Sequence, residues 1–584
     1  MRVTNQMVFG TSMNNIWRQG RHINSLIKQI ETGKRTQRPS DDPILASRAL
    51  RYRTLLSEMQ QFVRNAETGL SWMEVSEAAF FNIVDYLMER MNYRFVQGAD
   101  TAHNDLDDQM AILTELREYF AQIGLEMNQT HLGRYVFSGF HTSQPPFLKN
   151  DMPNEIFRIT QGFSHADIRS ISAVQRFNNI ERPTVTSNVH VLHIPYRGGI
   201  DVGSFVIADA TNPLAPAPMP FNIIERALSD VDAYLPPAPG TVHFIPETGE
   251  LVFHADDVAD IVQDQIPLDI TYTRQGFFAG ELNPMVYFRS EHIANATTVM
   301  GAIPGQLMNS ATAIPAAVWP AGTHIPAGAE WPMHVPIPPG VVLHNAAGEP
   351  FVPTAVPEVV PSTGFFVAVP AAGWTAAAPY AVPFNSSVPR GTFIPAGTII
   401  GEFDVTDHEM RFEFTSNTYV PINVLAKTAI PPNMIAEFNR LFEFADSLQR
   451  STPSAVRDYY ANPPHSLVGQ ALTNAVDRFI SDENAFFAGL LHQRFNDMLQ
   501  LHEKYSSNIK REHTNLGTRM ARLDMIHHRL EEDEIHYTSL LSKNEDADVA
   551  GSIIRRNGAQ AAFRDSLQSI SMMTQLSLAN FINR

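Results

Sequence analysis

Long apolar seams near both ends of this 584-residue chain constrain its fold more than any other feature. In the first seam, apolar side chains alternate at spacings of four and three residues, and only Gly20 interrupts them. This seam comprises Phe9, Met13, Ile16, Ile23, Ile27 and Ile30. Such spacing is typical of a coiled-coil helix. It also predicts a second, long helix from Pro43 to about Arg94, and a third from Leu106 to Met127 that would pack back on the second.

The C-terminal end of the chain repeats this pattern. One seam runs from Ile509 to Leu541, and a last one comprises Phe563, Leu567, Ile570, Met573, Leu578 and Phe581. An antiparallel pairing of the two ends would give each long helix a partner for its apolar face. The two terminal seams are short for helices without a partner. We therefore consider a neighbouring subunit as their natural partner and predict that their residues form an assembly interface.

Polar and turn-forming residues separate the first helix from the second. The predicted structural turn and cap comprises Gly33, Pro39, Ser40, Asp41, Asp42 and Pro43. Asp42 is a suitable N-cap, with Pro43 at the first helical position, where no amide hydrogen is needed. The two adjacent carboxylates could be taken for acid and base catalysts, but a helix N-terminus favours negative charge. We interpret them as capping residues.

The middle of the chain, from about residue 150 to 420, has a different character. Runs rich in Val, Phe and Thr at 241–255 and 410–423 predict strands separated by turns. Between about 300 and 400 the chain is dense in Pro, Ala and Val, and GTHIPAGAEW and GTFIPAGTII share the motif GTxIPAG. This repetition predicts duplicated β-turn-β units, and a flexible Pro/Ala linker is the alternative.

These patterns together predict an α+β multidomain protein. Its N- and C-terminal helices form a long antiparallel coiled-coil bundle, and its middle domains are β-rich. Four parts are expected. They are 1–40 with 555–584 as the terminal assembly coiled coil, 41–147 with 433–554 as a long-helix bundle domain, 148–300 with 400–432 as a β-rich outer domain, and 301–399 as a Pro/Ala-rich inserted β domain.

Composition excludes several classes of function. A formal net charge of -18 argues against nucleic acid as a partner. The absence of cysteine excludes disulfides, thiolate metal sites and a cysteine nucleophile. No apolar run is long enough to span a membrane, and MRVTNQMVFG lacks the apolar core of a secretory signal peptide. We expect no membrane insertion, and any export would not use a cleaved signal peptide.

Candidate catalytic and metal-binding residues are few. HEKYS at 502–506 begins like a zinc-protease helix but has Ser506 where the second histidine must stand. His527, His528 and His536 could share a helix face with Glu531, but the sequence identifies no ligand from elsewhere. We interpret these residues as satisfied or solvated. No phosphate-binding glycine loop stands out, so we expect no catalytic residue, no cofactor and no metal, and a protein that is not an enzyme.

Motifs at both ends resemble the flagellin superfamily and, within it, the hook-associated protein 3 family. At the start these are MRVTNQM, IETGKRTQRPSDDP at 30–43 and GRYVFSGFHTSQPPF at 133–147; at the end they are LGTRMARLD at 516–524, NEDADVA at 544–550 and QLSLANFINR. Flagellin itself usually has a small-residue DDAAG run where this chain has PSDDP. The stretch from about 290 to 410 looks like an insertion, to which the resemblance assigns no role.

The resemblance implies a structural adaptor of the bacterial flagellum that joins hook-associated proteins to the flagellin filament. It implies a ring of identical subunits, with hook-associated protein 1, flagellin and an export chaperone as further partners. It also implies an extracellular location at the hook-filament junction, reached through the flagellar type III apparatus. A filament-forming flagellin and a secreted adhesin with a surface-binding β middle are the alternatives.

Overall fold

Helices form both ends of the chain and strands its middle, as the computed structural model shows. The structure describes the chain except residues 1–4, 37, 101–104, 175–185, 213–214, 229, 231, 294–297, 300–317, 320–323, 326–340, 342, 346–349, 352–365, 369–373, 376–379, 382–392, 395–398, 404–407, 416–417, 449 and 583–584. The predicted α+β fold class is confirmed.

The helices follow the predicted seams closely. They are α1 (Asn5–Thr32), α2 (Pro43–Phe81), α3 (Glu89–Gly98), α4 (Leu106–Met127), α5 (Ala255–Gln263), α6 (Pro284–Tyr287), α7 (Ala426–Ala429), α8 (Pro432–Ser447), α9 (Pro453–Ala461), α10 (Gly469–Glu545) and α11 (Val549–Ile582). A π-helical segment, Asn82–Met88, joins α2 to α3. The second predicted helix therefore exists, but its seam passes through a wider turn that the sequence did not indicate.

The strands before the Pro/Ala-rich segment include the longest ones. They are β1 (Thr130–His131), β2 (Arg134–Tyr135), β3 (Met152–Phe163), β4 (Arg169–Val174), β5 (Thr186–His193), β6 (Ile200–Asp209), β7 (Ala217–Pro218), β8 (Asn222–Glu225), β9 (Thr241–Ile245), β10 (Glu250–Phe253), β11 (Leu268–Phe277) and β12 (Arg289–Ile293). The predicted hairpin at 241–255 is confirmed as β9 and β10, which pair antiparallel.

The later strands are mostly short. They are β13 (Thr298–Val299), β14 (Val318–Trp319), β15 (His324–Ile325), β16 (Leu343–Asn345), β17 (Pro350–Phe351), β18 (Phe366–Ala368), β19 (Trp374–Thr375), β20 (Tyr380–Ala381), β21 (Phe393–Ile394), β22 (Ile399–Phe403), β23 (Arg411–Thr415) and β24 (Thr418–Pro421). The strands predicted at 410–423 are β23 and β24. The two GTxIPAG copies contribute β15 and β21, which pair, while both PAG turns lie outside the described residues.

Two sheets dominate the middle of the chain. One has the strand order β22-β12-β3-β11-β6-β7, and the other β4-β5-β10-β9-β8. Alternate residues of β11, namely Leu268, Ile270 and Tyr272, are fully buried, as expected for a strand that turns one face to a core. At the edge of the first sheet β12 pairs with β22, so Ile293 and Ile399 lie opposite each other. The chain therefore leaves and re-enters this sheet at one place.

The chain forms two compact units. The first comprises Met1–Ser71, Arg411–Val420 and Arg519–Arg584, and the second Trp72–Met410 with Pro421–Thr518. The first unit has its own buried apolar residues: Leu26, Ala49, Val63, Ala66, Leu523 and Leu530. In the second unit Phe438 of α8 contacts Phe95 and Phe120, with ring centroids 5.8 and 5.0 Å away. Among the described residues, no helix is both long and apolar enough to cross a membrane.

Candidate assembly interface

The two terminal helices, α1 and α11, pack antiparallel in the first unit. The ring of Phe563 lies beside Gly20, where an added Cβ would be in ordinary van der Waals contact with it at 4.0 Å. One turn away, the Ser566 hydroxyl donates to Oε1 of Gln19 at 3.3 Å. Gly20 interrupts the apolar seam at the position that faces Phe563 of the partner helix.

This pairing covers part of each terminal seam. Six of the predicted interface residues are partly buried: Ile16, Ile23, Ile27, Ile30, Phe563 and Ile570. Met13 and Leu567 stay 37% and 45% exposed. The side chains of Phe9, Met573, Leu578 and Phe581 lie outside the described residues. Packing within the chain therefore buries part of the described seam residues and leaves others exposed.

Further apolar residues of the pair are exposed outside the predicted seams. Trp17 is 65% exposed and Met7 66%, and on α11 Ile554 is 71% and Met572 54% exposed. Single exposed apolar side chains are common, but several on one helix pair indicate a surface that another molecule covers. Trp17 was not predicted as an interface residue, because it flanks the four-three spacing. Its residue type was the available signal, since tryptophan is enriched at interfaces.

The segments that end α1 and begin α11 pair directly with each other. Gly33 ends α1 with a φ of +67°, a conformation that favours glycine. Its carbonyl accepts from the amide of Ala547 at 2.7 Å, and the amide of Arg35 donates to the carbonyl of Glu545 at 2.7 Å. The sequence blocks TGKR and NEDAD thus form one short antiparallel contact.

Glu545 is the charged centre of this contact. Its side chain is 13% exposed, and its Oε2 lies 2.7 Å from Nη2 of Arg53 and 3.3 Å from Nζ of Lys34. The neighbouring Asn544 donates from Nδ2 to the carbonyl of Leu45 at 3.1 Å. One carboxylate therefore binds the end of α1 and the first half of α2 to the end of α10. Sequence reasoning did not identify this role, because the three charged residues are far apart in the chain.

The predicted turn before α2 is built from its own polar groups. Oδ1 of Asp42 accepts from the amides of Ile44 and Leu45 at 3.0 and 3.1 Å, with Pro43 as the first helical residue. Oδ2 of Asp41 accepts from the amide of Arg38 at 3.1 Å. Pro39 and Ser40 are exposed within this turn. Both carboxylates are committed to backbone amides, as capping requires.

Polar residues that interrupt the long seams face polar residues of the partner helix. In the first unit Nε2 of Gln60 on α2 donates to Glu534 on α10 at 3.0 Å. In the second unit Nε2 of His513 lies 3.8 Å from Glu77. These two interruptions therefore face polar groups of the partner helix in the antiparallel register.

Burial moves the pKa values of several groups of the second unit, among them His502 and Glu443. His502, the first residue of HEKYS, is 2% exposed and hydrogen-bonds the backbone of Met88, and burial lowers its pKa to about 4. Its ring centroid lies 5.3 Å from that of Phe95. Burial also raises the pKa of Glu443 to about 8, although Nη1 of Arg197 lies 3.1 Å away. His502 is thus a histidine buried in the core of the helix bundle.

Comparison with known proteins finds similarity in part of the chain. Residues 3–142 match the model of the bacterial flagellin N-terminal helical region. Over 148 residues the chain is 27% identical to flagellar hook-associated protein 3 of Salmonella typhimurium and 28% identical to that of Escherichia coli. Each match covers 25% of this chain and 46% of the relative. The match thus spans about half the length of the curated relatives.

Solved structures with related names also align. FlgL of Xanthomonas campestris aligns at 11% identity over 84% of this chain and 99% of its own, with a TM-score of 0.26. Over the matched residues, the chain is thus similar to the bacterial flagellin N-terminal helical region and to flagellar hook-associated protein 3.

Proposed function

We propose that this chain is a structural adaptor of the bacterial flagellum, which joins hook-associated proteins to the flagellin filament. The observation that carries the proposal is the α1–α11 pair, a helix pair with apolar side chains turned outward on both helices. Trp17 and Met7 on α1 and Met572 on α11 are each more than half exposed. Such a surface fits a role in which subunits are held together by side-chain burial.

The energy available from this surface is adequate for assembly. Covering the exposed part of Trp17 would contribute about 2 to 3 kcal/mol per contact. The free energies of several such contacts around a ring would add, because each subunit repeats the same contact. The role is therefore mechanical, and the buried or capping positions of His502, Asp41 and Asp42 agree with a protein that is not an enzyme.

The partners follow from this role. Identical subunits would pack through their terminal helices into a ring, with hook-associated protein 1 on one side and flagellin on the other. An export chaperone would cover the same terminal helices before assembly, and the chain would reach the extracellular junction through the flagellar export apparatus. The four parts expected from the sequence would then divide into terminal assembly helices at 1–40 and 555–584, a bundle, and β-rich parts facing outward.

Immunogold electron microscopy of intact cells tests the proposal. Antibodies raised against residues 301–399 avoid the segment that matches flagellin. We expect gold only in a short zone where the hook meets the filament. Label along the whole filament would instead indicate a filament-forming flagellin, and label on the cell surface away from flagella would indicate an adhesin. Either result would overturn the adaptor.

A further inference from the structure

A cluster of metal-ligand side chains lies on α10 in the first unit. The ligand atoms of His527, His528 and Glu531 all lie within 4.8 Å of one another. Nδ1 of His528 is 3.3 Å from Oε2 of Glu531, and Nε2 of His527 is 3.8 Å from Oε1 of the same carboxylate. The spacings of three and four residues place these groups on one face of the helix.

A fourth group comes from another helix. Oε1 of Glu67, on α2, lies 4.0 Å from Nε2 of His527. The sequence interpretation of these histidines as satisfied or solvated depended on the absence of a ligand from elsewhere in the chain. Glu67 is a candidate for such a ligand, because it precedes His527 by several hundred residues and approaches it where α2 and α10 lie side by side.

Nε2 of His527 is the least explained atom of the cluster. It is buried and has no hydrogen-bond partner within the part of the chain that the structure describes. The two carboxylates that face it are too distant for a hydrogen bond. A buried ring nitrogen without a partner costs free energy, and a bound cation between it and the two carboxylates would remove that cost.

The other histidine, His528, has a carboxylate near each of its ring nitrogens. Its Nδ1 faces Glu531, while its Nε2 lies 3.6 Å from Oδ1 of Asp524. Metal-binding histidines commonly donate their second N–H to a carboxylate, which fixes the ring and raises its basicity. His528 could therefore bind a cation through Nδ1 with Asp524 behind it.

We propose that His527, His528, Glu531 and Glu67 bind one divalent transition-metal ion, with Zn²⁺ as the best match, and that this ion ties α10 to α2. Two imidazole nitrogens with two carboxylates suit Zn²⁺ better than Ca²⁺ or Mg²⁺, which prefer oxygen ligands only. Around Zn²⁺ neighbouring ligand atoms are about 3.4 Å apart. The distances of 3.3 to 4.0 Å given for these pairs approach that value. His528 and Glu67 have side chains 68% and 60% exposed and can move inward.

Calorimetric titration of the full-length chain with ZnCl₂ at neutral pH, after treatment with EDTA, tests the site. The chain has 21 histidines, so comparison of variants decides the outcome. Glu67→Gln and His528→Asn should each weaken zinc binding at least tenfold, as loss of a ligand or its support does. The matched control is His536→Asn, an exposed histidine farther along α10, which should bind zinc as tightly as the wild type.

Two further readouts distinguish a helix clamp from surface binding. Zinc should raise the Tm of the wild type more than that of Glu67→Gln, because only the wild type loses a bound ion when α2 and α10 separate. Co²⁺ should give the visible absorption of a four-coordinate site in the wild type and lose it in His528→Asn. Absence of zinc binding, unchanged affinity in Glu67→Gln, or equal weakening in His536→Asn would overturn the proposal.

Discussion

Oε2 of Glu545 accepts a hydrogen bond from Nη2 of Arg53 at 2.7 Å, although 492 residues separate them in the sequence. Lys34 adds a second positive charge at 3.3 Å. This carboxylate therefore fixes the register in which the start and end of the chain meet. The same contact includes the backbone pairing of Gly33 with Ala547, so side chains and backbone support one arrangement.

Replacement of Glu545 by Gln should loosen this contact without unfolding the chain. Arg53 and Lys34 are about half exposed, so solvent screens both pairs, and we expect a loss of about 1 kcal/mol in total. Hydrogen exchange at the amides of Arg35 and Ala547 should become faster. Glu58→Gln, an exposed carboxylate on α2, is the control and should leave both amides unchanged. Equal protection in both variants would contradict the role of Glu545.

Replacement of Trp17 by Asp should block assembly while leaving the isolated chain folded. Trp17 is 65% exposed, so the charge costs little in the monomer but would cost about 2 to 3 kcal/mol or more per covered contact. Motility and circular dichroism of the purified chain are the measurements. Asn15→Asp puts the same carboxylate on an exposed position at the other flank of the seam. If cells with Trp17→Asp swim normally, this face is not an interface.

Replacement of Ile23 by Asp tests the internal face of the same helix pair. Ile23 is partly buried, so a carboxylate there should weaken the α1–α11 pairing itself as well as assembly. We expect lost motility together with faster hydrogen exchange in both helices, and unchanged exchange in β3 and β11. Normal motility would contradict the bundle model.

Removal of the Pro/Ala-rich segment should leave the neighbouring sheet intact. Ile293 and Ile399 are paired across β12 and β22, so a short Gly/Ser linker in place of residues 297–396 can close the same edge. Loop closure depends only weakly on length. We expect a soluble, exported chain that still supports motility. An insoluble product would place the segment in the core of the β domain, and a soluble, exported chain that cannot attach filament would place it in the joint.

Acid should destabilise the second unit through His502. Its pKa is about 4 in the folded chain and 6.5 as a free side chain, so the folded state favours the neutral ring. The preference for the neutral ring contributes to the free energy of unfolding, on the order of 3 kcal/mol. This stabilisation is fully present above about pH 6.5 and is lost as the pH falls towards 4. The Tm of His502→Gln should therefore fall less between pH 7 and 5 than the wild-type Tm. The control variant His536→Gln should show the same fall in Tm between pH 7 and 5 as the wild type.

Much of the helical architecture could be predicted from spacing alone. The seams, Gly33 and the Asp42 cap depend on residues close in sequence, and local rules apply to them. The π-helical segment could not be predicted, because its buried residues, Ile83, Val84, Leu87 and Met88, also fit an α-helical seam. Its wider turn becomes evident only through the packing around it.

Long-range contacts between side chains could not be predicted from the sequence. The pairs Arg53 with Glu545 and Glu67 with His527 join residues that no local pattern connects. Each pair depends on the register between two helices. The spacing of apolar residues does not fix this register, because a shift by a whole turn also brings the apolar faces together. The strand order in the middle of the chain also could not be predicted from local patterns. Strand β3 lies between β11 and β12, although long stretches of chain separate it from both.

A cryo-electron microscopy map of the native hook-filament junction tests the adaptor most directly. The account predicts one ring of this chain between the hook-associated proteins and the first flagellin subunits, with the Trp17 face of α1 covered by a neighbouring molecule. Density for the chain repeated along the filament, or a ring in which α1 and α11 face solvent, would contradict it.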